Sequence, residues 1–138
     1  MNDTPHLPLL LARWFDDRLH ESVGFAVRGC RLYGVELVDR DGLEHGDPLA
    51  ARACFLAEAE DRTSVIEQPE ARRALEFDAV AMVVAEWRLS QAGGTRPHQF
   101  APRRRVRVVE LVVTEGRGGA SVLRFEHEPD YVVLAPAS

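Results

Sequence analysis

The stretch from residue 103 to residue 134 most narrows what this chain can fold into. Arg105, Arg107, Val109, Leu111 and Val113 occupy one parity, and Val106, Val108, Glu110 and Val112 the other. A side-chain period of two belongs to an extended strand. Glu115-Gly116-Arg117-Gly118-Gly119 then supplies turn chemistry, and a return strand over about 120–127 predicts an antiparallel hairpin. Glu128-Pro129-Asp130 turns once more into a short strand, Tyr131-Val132-Val133-Leu134. Both parities of the hairpin carry Val or Leu. One face is therefore expected to pack on helices, and the other to need cover from a loop or from a second copy of the chain.

The upstream residues supply the helices and the remaining strands. Leu10, Leu11, Trp14, Phe15 and Leu19 recur at three- and four-residue spacing and predict a helix over 8–20, with Asp16 and Asp17 on its polar side. Two extended pieces follow, about 22–28 and 31–38, then a turn at Asp39-Arg40-Asp41-Gly42. Asp47-Pro48 reads as a capped helix start, and the alanine-rich run behind it as a helix to about residue 59. Pro69 opens a short helix to about Glu76. The stretch 77–90 reads two ways, as the end of one long helix from Pro69 or as a strand over about 79–89; its solidly apolar, valine-rich run favours the strand, lying beside 103–114. Two glycines and two prolines make 91–102 a loop. The expected architecture is a single α+β domain, with a mostly antiparallel sheet of about five strands and two or three helices packed on one face.

With 138 residues, 46% of them hydrophobic, the chain is large enough for a core without disulfides or a structural metal. It contains no lysine: all seventeen basic residues are arginine, and Asn2 and Ile66 are the single residues of their kinds. That skew is the codon usage of a GC-rich, bacterial genome. It also excludes lysine Schiff bases and the Walker A phosphate loop. Neither cysteine, Cys30 or Cys54, has a CxxC partner, so reduced structural thiols in a cytoplasmic compartment are expected. No signal peptide or membrane span is read in the chain. The net charge of −5 is unevenly spread, acidic from Glu36 to Glu86 and arginine-rich from Trp87 to Phe125.

Five features bear on chemistry. The loop 39–47 gathers Asp39, Asp41, Glu44, His45 and Asp47, but not at EF-hand spacing, and Asp47 is accounted for as a cap. His6, His20, His45, His98 and His127 form no metal-binding spacing. Cys30, following Gly29 at a strand break, and Cys54, in an apolar run, lack an activating motif, and no GxSxG elbow exists. Gly116, Gly118 and Gly119 join two strands and so do not form a phosphate cradle at a helix start. The tract Arg103-Arg104-Arg105-Val106-Arg107, preceded by Arg96, His98 and Phe100, is the one candidate polyanion contact, through Arg103, Arg104, Arg105 and Arg107. Against that reading, Arg105 and Arg107 share a strand face, where pairing with acids of the 36–86 segment would make them exposed ion pairs of small energetic weight.

No metal or cofactor is therefore expected, and no catalytic motif is visible. The reading the residues favour is a non-catalytic interaction module that self-associates as a dimer. Its alternatives are a small-molecule-binding protein or enzyme with a pocket between helices and sheet, and a nucleic-acid binder acting through the arginine tract.

Overall fold

A computed structural model of the chain describes residues 7–23, 29–89, 103–125 and 131–134. Helix α1 (Leu7–Val23) is followed by strand β1 (Cys30–Leu37), a one-turn helix α2 (Arg40–Glu44) and β2 (Ala51–Ala59). Next come α3 (Arg62–Ile66), a 3-10 helix (Pro69–Glu76), and the strands β3 (Ala79–Leu89), β4 (Arg103–Val113), β5 (Gly119–Phe125) and β6 (Tyr131–Leu134). The six strands form one sheet in the order β2-β1-β3-β4-β5-β6, and every pairing is antiparallel. No helix among the described residues is long and apolar enough to cross a membrane.

Register divides the residues between two faces. Val35, Ala79, Ala81, Val83, Val109, Leu111, Val113, Ala120 and Val122 lie under α1, which adds Leu7, Leu11, Phe15 and Leu19 at helical spacing. On the other face Cys30, Leu32, Leu56 and Ala57 pack with Val65 of α3 and with Ala71, Ala74 and Phe77 of and just after the 3-10 helix. The valine-rich parities of β3 and β4 match these two surfaces. Strands buried on both faces read as continuous apolar runs, not as alternating ones.

One irregularity shapes the outer strand. Tyr33 pairs with Phe55 and Leu32 with Ala57, so Leu56 is an extra residue on β2. Such a bulge reverses side-chain parity beyond it. Leu56 and Ala57 consequently both turn to the α3 face and are buried there. Up to Phe55 the strand is regular, with Ala51 opposite Leu37 and Ala53 opposite Val35.

The α+β class, the antiparallel sheet, the 8–20 helix and the pairing of 79–89 with β4 all hold. Several expectations do not. The 48–59 segment is the edge strand β2, not a helix: Ala51, Ala53, Ala57 and Ala59 pair with Leu37, Val35, Leu32 and Cys30 of β1. Asp47 does cap the chain locally, accepting the Leu49 N–H at 2.9 Å, but the turn it closes leads into a strand. The extended piece placed at 22–28 begins inside α1, which runs to Val23, and its remainder lies outside the described residues. The turn at 39–42 is part of the helical turn α2. Helices lie on both faces of the sheet, α1 on one and α3 with the 3-10 helix on the other, where one-sided packing was expected. The 91–102 loop and the 128–130 turn fall outside the described residues.

Candidate functional site

The most unusual chemistry lies under α1. Arg107 of β4 and Arg124 of β5 are directly opposite each other on the helix-covered face. Both are buried, and so is Asp16 of α1, one residue beyond Phe15 and four beyond Ala12. Arg107 Nη2 donates to Asp16 Oδ1 at 2.8 Å and to the Asp16 carbonyl at 3.4 Å. Arg124 donates from Nε and Nη2 to Asp16 Oδ2 at 3.0 and 2.7 Å, and from Nη2 to Asp17 Oδ1 at 3.2 Å. One carboxylate thus holds two guanidiniums, while the more exposed Asp17 caps the outer end. Burial, and then the negative charge of Asp16, push the Asp17 carboxyl above its ordinary range. Burial, and then the positive charges of Arg124 and Arg107, hold the imidazole of His20 below its ordinary value. A carboxylate with both oxygens bound to arginine is no general base, so this cluster is a polar lock between helix and sheet.

A second ion cluster decorates the opposite face. Arg62 of α3 donates to both oxygens of Glu110 at 3.1 and 3.2 Å and to Glu86 at 3.3 Å. Beside it runs an apolar groove of about 340 Å³ between the 3-10 helix and the sheet, lined by Leu32, Ile66, Ala74, Val80, Met82 and Val112, with Glu110 at its rim.

The third feature is the outer edge of β2. Among the described residues no strand pairs with that edge. An aromatic row leads out to it: Phe15 meets Tyr33 edge-on at 5.0 Å, and Tyr33 meets Phe55 at 5.7 Å. Phe55 is 51% exposed. Alongside lies a groove of about 440 Å³ between α1 and the edge, with Trp14, Phe15, Tyr33 and Leu49 around the small residues Ala51 and Ala53. Its charged lining residues are Arg18 and Arg52. Trp14 Nε1 donates to the Pro48 carbonyl at 3.1 Å and pins the segment that forms the groove's far wall.

The residues singled out from sequence are dispersed. Arg105 is half-buried and shares the α1 face with Arg107. Arg103 and Arg104 lie at the β4 end paired with Leu89 and Arg88, and their side chains fall outside the described set. Arg107 does pair with an acid of its own chain, as the competing reading held. That acid is Asp16 of α1, however, not one from 36–86, and the pair is fully buried, not exposed. Cys30 is fully buried despite following Gly29, and burial pushes its thiol up, away from nucleophilic use. Among the described residues no three His, Cys, Asp or Glu side chains are grouped to hold a metal. The Gly116–Gly119 segment is the β4–β5 turn, with Glu115, Gly116 and Gly118 at positive φ. His45 Nδ1 donates to the Asp41 carbonyl of its own turn, at 2.8 Å.

Asp16 and Arg124 were not singled out from sequence, although a signal existed. Arg107 shares its parity with Val109 and Leu111, and Arg124 shares its own with Val122 and Ala120. A cation on the core-facing parity needs a buried acid. No protein-family model, no curated protein and no solved structure matches the chain.

Proposed function

We propose that this protein is a non-catalytic interaction module of the bacterial cytoplasm that self-associates through the outer edge of β2. The observation that carries this reading is the regular edge Ala51–Phe55, unpaired among the described residues, with a half-exposed phenylalanine at one end and an apolar groove beside it. Edge strands offer a row of backbone donors and acceptors to another chain, and an adjoining groove gives such pairing specificity. Self-association through the β4–β5 hairpin loses its rationale, because α1 covers one of its faces and Val106, Val108, Leu123 and Phe125 are buried on the other.

Static light scattering on the purified chain tests this reading. A mass near twice 15.4 kDa at micromolar concentration is expected. A mass of 15.4 kDa at the highest attainable concentration overturns it.

The 340 Å³ apolar groove supports a second reading, binding of a small apolar ligand, since it falls at the lower end of ligand-pocket sizes. Saturable binding of Nile red that disappears in an Ala74→Trp variant would favour it.

A further inference from the structure

We propose that two copies pair β2 against β2 about a two-fold axis at Ala53, each placing its Phe55 in the other's α1-side groove. This inference rests on the self-association reading and specifies its geometry.

Register supplies the first argument. The bulge at Leu56 ends the regular part of the strand at Phe55, and the Asp47–Leu49 turn precedes Ala51. Five residues, 51 to 55, therefore remain for an added ladder, and the middle one is Ala53. Antiparallel pairing of this segment with itself sets Ala53 opposite the partner's Ala53, and Ala51 opposite the partner's Phe55. A two-fold axis perpendicular to the sheet keeps each face continuous across the junction. Phe55, Ala53 and Ala51 share the α1 face, as their partners Tyr33, Val35 and Leu37 on β1 do.

Size supplies the second. The groove exists because Ala51 and Ala53 are small where Phe55 is large. The partner's Phe55 arrives over Ala51, where Trp14, Phe15, Tyr33 and Leu49 wall about 440 Å³ of space. Leu49 is itself 76% exposed and would be covered by the arriving ring. Aromatic rings prefer such edge-on and offset neighbours.

Charge supplies the third. The groove's charged lining residues are Arg18 and Arg52, with no carboxylate among them. Parity reverses at the bulge, so the next polar residue on the α1 face beyond Phe55 is Glu58, opposite Arg31. In this pairing the partner's Glu58 approaches the Pro48–Leu49 end of the groove and brings negative charge to the face on which Arg18 lies, Arg52 being turned to the opposite face toward Glu36. The present partner of Arg18, Glu21 at 3.6 Å, forms an exposed pair that exchanges at little cost.

The test uses the self-facing position. Ala53 is exposed, so charged substitutions there leave the monomer folded, as circular dichroism would verify. The Ala53→Glu chain and the Ala53→Arg chain are each expected to be monomeric by light scattering, because each puts like charges across the axis. Their equimolar mixture is expected to recover the dimer. Phe55→Ala is expected to weaken the wild-type dimer at least about tenfold, the scale of a buried aromatic anchor. If Ala53→Glu dimerises like wild type, or if the mixture of folded variants stays monomeric, this register is wrong although self-association stands. If the wild-type chain is itself monomeric, the self-association reading fails first.

Discussion

Arg107 and Arg124 face each other across β4 and β5 beneath α1, and the Asp16 carboxylate lies between them, 2.8 Å from one and 2.7 Å from the other. Two like charges in neighbouring ladder positions would repel, so the acid that joins them sets the position of the helix over the sheet. Removing the acid alone leaves two buried cations. Asp16→Asn is expected to cost about 3–5 kcal/mol, the range for breaking one partner of a buried pair. Replacing Asp16, Arg107 and Arg124 together by Leu, Met and Met is expected to cost far less. Urea denaturation of the two chains checks this: equal losses would show that the cluster acts through packing and not through charge.

Gly34 is opposite Val80 on β3, and the Phe77 ring lies over it. A Cβ at position 34 would stand 2.3 Å from that ring. Gly34→Ala is expected to destabilise the fold by about 1–3 kcal/mol, as overpacking does. With Phe77→Leu added, the two costs should not sum, because the second change opens the space the first requires. Additive losses in thermal melts would refute this account of the glycine.

His20 is held below its ordinary value of 6.5 by burial and by the charges of Arg124 and Arg107. Its folded state therefore binds fewer protons than the unfolded chain just below that value. Stability from this group is fully present above 6.5 and falls as pH drops toward the folded-state value. Asp17 acts in a separate window above 3.8, with the opposite sign, since its carboxyl is raised. His20→Gln is expected to flatten the fall in urea midpoint between roughly pH 7.5 and 5.5, a unit either side of the imidazole value. An unchanged pH profile in the variant would remove His20 from the account.

The arginine tract is expected not to hold nucleic acid near physiological salt. Arg107, fully buried on Asp16, presents no donor to a phosphate. A mobility shift with single-stranded RNA or duplex DNA at about 150 mM salt, lost in Arg105→Gln, would contradict this. Arg105 is the variant to use, because Arg107→Gln would be confounded by loss of stability.

Legibility followed physical distance along the chain. The β4–β5 hairpin and the helix over 8–20 were readable because period and turn chemistry are local. β2 was not, because Ala51, Ala53, Ala57 and Ala59 favour helix intrinsically. Their strand conformation comes from β1, where they pair with Leu37, Val35, Leu32 and Cys30 respectively. The buried cluster was half-legible. Arginines on a core-facing parity announce an acid, but its position on α1 depends on how the helix crosses the sheet. Asp16 looks like a solvent-side residue by helical period alone, and it is buried because the sheet extends past the apolar stripe to reach it.

The Asp16–Arg124 contact also has a consequence for synthesis. The two residues are 108 positions apart. During translation at about 5–20 residues per second, α1 is made roughly 5–20 s before its second arginine leaves the peptidyl-transferase centre. Through that interval the helix carries Leu7, Leu11, Phe15 and Leu19 without the strands β4 and β5 that bury them. The nascent chain thus carries an apolar, chaperone-accessible helix until almost the whole sheet exists, and α1 can lock onto the sheet only once β5 has been made.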